Sequence, residues 1–335
     1  MKKRGWDMKK LTFLMLTVFA LFAIAVTASA YQIPYQDSRV RAFYVFGSDG
    51  DPLMGAEDNK MEIVVDVPAD EPGAVILEVY DPDTGGFFDW RVPYSEWDTI
   101  CKIEVIGKSV LDTAEFGVSS EWDEKWYRFG PYDKTQGEKV GDVYRFKLVV
   151  TGLNGDDQNL FKVRISPNSA ESYSETITFR LLPNEGDKMY FYPAVPAGTA
   201  HIVVDNYDLD ENGGTSTLAV DTISKKYSIG TSESGQWRAT TVPISTDTGG
   251  RMVYTITKAT QRYANAGLRM KTDKGASIPI YFRRGTPPVA KAAPAPVKPA
   301  PAPKSDLKCN KFTFDATNSY DIQKQKLSFL WNFGD

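Results

Sequence analysis

The chain has 335 residues, 42% of them apolar and 13% aromatic, which is the composition of a folded globular protein long enough for two or three modules. Its formal net charge is −4 and no Lys/Arg cluster stands beyond the first ten residues, which argues against nucleic acid as the expected partner. A single histidine and two widely separated cysteines leave no thiol-based zinc site and no H-E-x-x-H motif.

Five cations, Lys2, Lys3, Arg4, Lys9 and Lys10, precede an uncharged, mainly apolar run from Leu11 to Val26. Ala28-Ser29-Ala30 follows, with the small-x-small form that a signal peptidase accepts. Residues 1–30 are therefore read as an export signal forming a short helix, with Tyr31 the mature N-terminus. Met8-Lys9-Lys10 offers a second start of its own. A retained anchor is the rival reading, but the run spans about 24 Å at 1.5 Å per residue, short of a hydrocarbon core of about 30 Å. No membrane span is expected after cleavage. The residue directly after the cleavage point is Tyr31 and not cysteine, and no twin arginine precedes the run, so neither lipid anchoring nor export in a folded state is indicated. Cleavage leaves 34 basic against 42 acidic residues, a charge near −8.

Residues 31–183 form the first expected module. Met61, Ile63, Val65 and Val67 recur at every second position, as do Tyr144, Phe146, Leu148 and Val150, then Phe161, Val163 and Ile165, then Ile177, Phe179 and Leu181. Period-two alternation predicts strands with one wet face. Cys101 fits such a strand as a buried thiol. Two aromatic clusters, Phe87 to Trp97 and Trp122 to Tyr132, lie in long connections. Trp90, Trp97, Trp122 and Trp126 are candidates for stacking on sugar rings, and the competing role for such rings is to plug the end of a sandwich. Asp81-Pro82-Asp83-Thr84-Gly85-Gly86 reads as an acidic hairpin turn. Glu121 with Asp123 or Glu124 has the residue types of a glycosidase acid and base, against the ordinary role of loop carboxylates as solvent contacts.

After Pro183-Asn184-Glu185-Gly186 the alternation restarts, which places a second module at residues 184–285. Met189 and Phe191, then Ala200, Ile202 and Val204, Leu218 and Val220, Val253, Leu268 and Met270, and Ile278, Ile280 and Phe282 mark at least six strands. That density predicts an antiparallel sandwich or jelly roll. A turn or two of helix is allowed at Thr257 to Ala266, ended by Gly267. Asp208, Asp210 and Asn212, followed by Gly213, have the D-x-D-x-N-G form of a calcium loop, in which alternate oxygens converge and glycine permits the bend. The twelfth position is Ala219 and not the bidentate Glu of an EF-hand, so a polar β-turn is the competing reading and Asp205 or Asp221 the further ligand. Calcium is thus the one cofactor considered. His201 shares a strand face with Val203 and Asp205, a rim position, and no G-x-S-x-G elbow accompanies it. Gly186-Asp187 and Val195-Pro196-Ala197-Gly198-Thr199, followed by the acidic loop, resemble the start of bacterial pre-peptidase C-terminal domains. That resemblance implies a small accessory β-sandwich with no catalysis of its own.

Residues 286–305 are a Pro/Ala run with spaced lysines, predicted as an extended polyproline spacer. From residue 306 to 335, Phe314-Asp315-Ala316-Thr317 and Trp331-Asn332-Phe333-Gly334-Asp335 resemble the opening half of a PKD domain, an immunoglobulin-like sandwich of exported proteins. The resemblance implies protein or glycan contact and a longer parent protein; a Cys101–Cys309 bridge would tie down the spacer between them, so Cys309 is expected to pair in the remainder instead. The expectation is an all-β protein of tandem antiparallel β-sandwich modules, immunoglobulin-like or jelly-roll. Its expected role is non-enzymatic: a spacer and interaction surface at the bacterial envelope or outside it. Two alternatives stay open, the accessory region of a secreted hydrolase or peptidase, and a peptidoglycan-anchored envelope protein.

Overall fold

The alternating runs become strands because each can bury one row of side chains while hydrogen bonding sideways to its neighbours. In a computed structural model the described residues are 30–34, 41–50, 59–86, 88–91, 96–181, 186, 188–210, 215–220, 225–244, 250–257 and 264–284, all inside the compact unit Met1–Pro288. The strands run β1 (Tyr31–Ile33), β2 (Arg41–Phe46), β3 (Lys60–Pro68), β4 (Val75–Tyr80), β5 (Cys101–Ile106), β6 (Val110–Phe116), β7 (Trp126–Tyr132), β8 (Glu138–Val140), β9 (Val143–Gly152) and β10 (Gln158–Ser166). They continue as β11 (Glu171–Ser174), β12 (Thr176–Leu181), β13 (Lys188–Val195), β14 (His201–Tyr207), β15 (Thr215–Val220), β16 (Lys226–Ile229), β17 (Trp237–Pro243), β18 (Gly250–Thr257), β19 (Ala264–Thr272) and β20 (Ile280–Tyr281). The only helical element among the described residues is a 3-10 turn at Lys134–Gln136, capped by Asp133. No helix among these residues is long and apolar enough to cross a membrane.

The strands assemble into two antiparallel sheets. One has nine strands in the order β17-β14-β19-β12-β2-β10-β4-β7, with β1 also on β10. The other has eleven, β16-β15-β18-β13-β20-β11-β3-β9-β5-β6, with β8 also on β9. Their inner rows meet in one apolar core that includes Phe43, Leu77, Phe161 and Leu268 from the first sheet and Ile63, Leu148, Phe191 and Tyr254 from the second. Phe43 lies 5.0 Å from Phe282 and Phe179 5.1 Å from Phe191, so the rings interlock between the layers. Each fully buried ring or branched chain contributes about 1.5–3 kcal/mol. The fold is an all-β sandwich.

The boundary placed near residue 184 falls on residues 182–185, outside the described set. Hydrogen-bonded pairs join the two sides of it in both sheets: β12 pairs with β19 from Thr176↔Arg269 to Leu181↔Ala264, and β20 pairs with both β11 and β13. Residues 257 and 264–266 are strand where a short helix had been allowed; Gly267 ends nothing and sits inside β19. There Tyr207 and Trp237 lie over it, and an added Cβ would come within 3.1 Å of Tyr207 Cβ. In β18 the inward row is Met252, Tyr254 and Ile256, with Val253 on the opposite face. Cys101 is a free thiol with no exposure, inside β5. The export signal, the Pro/Ala spacer, Cys309 and the PKD-like segment lie outside the described residues.

Candidate functional site

Antiparallel pairing brings the C-terminal ends of β2, β4 and β9 to the same end of the sandwich as the N-terminal ends of β5, β7 and β10. The loops there carry the acidic residues. Leaving β4, Asp81 takes a left-handed backbone (φ 57), and its N–H donates to the Lys125 carbonyl at 2.8 Å, extending the β4–β7 ladder. Asp81 Oδ1 accepts the Glu124 N–H at 2.9 Å. Asp83 Oδ2 accepts the Ser119 hydroxyl at 2.8 Å and the Trp122 N–H at 2.9 Å. Thr84 and Ser119 bridge their two loops through backbone bonds, and Asn159 Nδ2 donates to the Asp83 carbonyl at 3.0 Å. One carboxylate oxygen from each of Asp81, Asp83 and Asp123 lies within 4.8 Å of the other two.

Each of these three carboxylates also has a buried oxygen without a hydrogen-bond partner: Asp81 Oδ2, Asp83 Oδ1 and Asp123 Oδ1. Asp81 and Asp83 are 0% and 1% exposed. Burial pushes the Asp81 carboxyl up to about 7; the Glu124 N–H opposes this, and Asp123 and Asp83 add to it. Asp123 is raised for the same leading reason, with Asp83 next. Nearby, Asp89 accepts the Leu160 N–H at 2.7 Å and the Gly85 N–H at 2.9 Å, filling the edge of β10 that β4 has left, and burial holds it well above the usual carboxylate range. A second acidic group, Asp98, Asp156 and Asp157, gathers on the neighbouring loops, where Asp157 Oδ2 accepts the N–H groups of Asp98 and Thr99.

Hard oxygen donors in this arrangement suit a divalent cation, and Asp81 and Asp83 were read from the sequence only as turn residues. Asp-Pro-Asp followed by two glycines was the available signal. The carboxylates offered as an acid and base are arranged otherwise: Asp123 turns toward Asp81 and Asp83, the Glu124 backbone serves Asp81, and Glu121 is exposed. Asp208, also left-handed (φ 50), accepts the Gly235 N–H at 2.9 Å through Oδ1, and burial raises its carboxyl. Asp210 is half-buried on the same loop, and Asn212 lies outside the described residues. His201 is half-buried on β14, opposite Pro243 in the neighbouring strand.

The four tryptophans go to different places. Trp122 packs edge-on against Phe116 and Tyr127 at the border of the main core. Trp90, with Phe88, covers a separate apolar group of Ala42, Tyr44, Phe46 and Leu160. Trp97 is half-buried beside exposed Glu96 and Asp98. Trp126 stands on the outer face of the first sheet, paired across the ladder with Tyr80 at 5.1 Å between rings. Tyr80 in turn meets Phe88 at 5.4 Å. Arg164 lies over Trp126 at 3.9 Å and bonds Glu78, while Lys162 lies 5.1 Å from both Tyr80 and Phe88. The same sheet repeats the device at its other end, with Arg269 over Trp237 at 3.8 Å and paired to Asp205. The outer face of the second sheet holds a cleft of about 490 Å³ lined by Lys60, Glu62, Arg145, Lys147, Tyr173 and Glu175 among others. Its charges are paired across strands, Arg145 with Asp66 at 2.8 Å and Lys147 with Glu62 at 2.9 Å.

No protein-family description matches the chain, and no curated protein matches it. Among solved structures, the chain is similar to the N-terminal CBM22-1-CBM22-2 tandem domain from Paenibacillus barcinonensis Xyn10C, at 8% identity, over 73% of this chain and 91% of that one, with a TM-score of 0.13. So low a score carries no argument about function.

Proposed function

We propose that this chain is an exported, non-enzymatic β-sandwich protein of the bacterial envelope or its exterior, and that the outer face of its first sheet binds an extended glycan. The observation that carries the reading is the band of half-buried rings, Trp126, Tyr80 and Phe88, interleaved with Arg164 and Lys162. Ring faces offer apolar stacking contact to sugar C–H groups, and the guanidinium and ammonium supply donors for hydroxyl or carboxylate oxygens. A flat, twisted sheet face suits a polymer better than a small molecule, which needs a concave pocket. Export is supported by the sequence alone, in which five cations precede an apolar run that ends at Ala28-Ser29-Ala30. A glycan array probed with the purified chain tests the reading. Binding to one glycan class that falls at least about tenfold in Trp126→Ala and in Lys162→Ala is the expected result. An empty array, or binding indifferent to both substitutions, rejects the glycan and leaves a protein partner.

A further inference from the structure

We propose that Asp81, Asp83 and Asp123 form a calcium site that ties the loop after β4 to the loop before β7. Two observations carry this independently of the clustering of acids. Asp81 and Asp83 are buried to within 1% of exposure, yet each presents an oxygen with no hydrogen-bond partner, a costly arrangement unless a cation completes it. No ion pair among the described residues reaches any of the three, and the nearest cations, Lys162 toward Asp81 and Lys125 toward Asp123, act only from beyond ion-pair distance.

The donor chemistry selects the ion. All donors are carboxylate oxygens, and neither histidine nor cysteine stands in the group, which disfavours zinc and other metals that prefer nitrogen or sulfur. Magnesium keeps several of its waters and demands tight octahedral geometry, whereas calcium accepts six to eight oxygens in a flexible shell. Calcium is therefore the ion that a partly dehydrated, irregular site of this kind holds. The other oxygens of Asp81 and Asp83 are fixed by N–H donors from Glu124 and Trp122, which orients the free ones. Gly86 admits Asp123: a Cβ there would lie 2.2 Å from Asp123 Oδ1. Asn159, whose Oδ1 is also buried and unbonded, holds the Pro82 and Asp83 carbonyls from the adjacent strand.

The test uses the full chain stripped with EDTA, melted with and without about 1 mM calcium chloride, the range in which extracellular modules bind. Calcium is expected to raise the melting temperature by several degrees, and magnesium at the same concentration by less. Asp123→Asn and Asp83→Asn should each remove most of that shift, while Asp142→Asn, at an exposed turn, keeps it. Terbium titration with tryptophan excitation adds a direct readout of occupancy, expected to weaken at least about tenfold in Asp123→Asn. Asp123 is half-buried, so its variant retains the fold even where the Asp83 variant does not, and a circular dichroism spectrum verifies this. Superimposable melting curves for the unaltered chain with calcium and with EDTA overturn the proposal. So does a shift that survives Asp123→Asn in full, or one that is lost only in Asp208→Ala, which would move the ion to that other loop.

Discussion

Asp81 has two stable partners for its buried oxygen, a proton or a cation, and the pH decides between them when calcium is withheld. Its carboxyl is raised from 3.8 to about 7, first by burial and then by Asp123, Asp83 and Glu124, while the Glu124 N–H opposes the rise and Lys162 is the cation facing it. Over that interval the folded chain binds a proton that the unfolded chain has released, so stability must fall as pH rises from about 4 to 7 and level off above. Asp89, buried on the adjoining loop and raised in the same direction, adds to the same slope. In EDTA the melting temperature is therefore expected to be lower near pH 8 than near pH 5, by the equivalent of about 2–4 kcal/mol. Asp81→Asn, which keeps an oxygen for the Glu124 N–H, should flatten the slope and stabilise the chelated protein near pH 8. Melting curves across pH, with and without the substitution, check this. An unchanged slope would place the titration elsewhere.

At the scale of the element, β10 is held on both edges, and from Phe161 to Ile165 it is buried on one face. It pairs with β1 and β2 on one side and β4 on the other, and turns Phe161, Val163 and Ile165 into the core while Lys162 and Arg164 face outward. Phe161→Ala is expected to cost about 3–5 kcal/mol in a denaturant melt, whereas Lys162→Ala on the opposite face should cost under about 1 kcal/mol. Equal losses would mean that the two faces are not distinct. This strand was legible in the sequence because Lys162 and Arg164 separate Phe161, Val163 and Ile165, and enough of the same alternation survives in β3, β9, β12 and β14. Val253 marked a strand that is present, β18, but not its buried face, since Val253 alternates with Met252 and Tyr254 and all three are apolar, leaving no polar row to mark the wet face. Gly267 misled because a glycine that clears space for two rings reads the same as one that stops a helix. The acidic centre was illegible for a different reason. Asp83 and Asp123 meet through the β4–β7 pairing, which brings together residues 40 positions apart, and no local spacing encodes that pairing.

For the molecule as a whole, the strand orders decide how it should unfold. Tandem modules divided near residue 184 would melt as two units, the usual behaviour when few contacts cross a boundary. Here residues on either side share ladders in both sheets: β12 depends on β19 for one edge, and β20 stands between β11 and β13. A fragment of residues 31–183 would leave β12 and β11 each with a bare edge and strip Phe179 of Phe191 and Phe43 of Phe282. Bare edges and uncovered rings favour association between chains over independent folding. Residues 31–284 are therefore expected to unfold in one cooperative transition, with calorimetric and van't Hoff enthalpies in agreement, and the 31–183 fragment to aggregate or melt without cooperativity. Two resolved transitions in the longer chain, or a cooperative melt of the soluble fragment, would show that the shared ladders contribute little and that each half closes its own core.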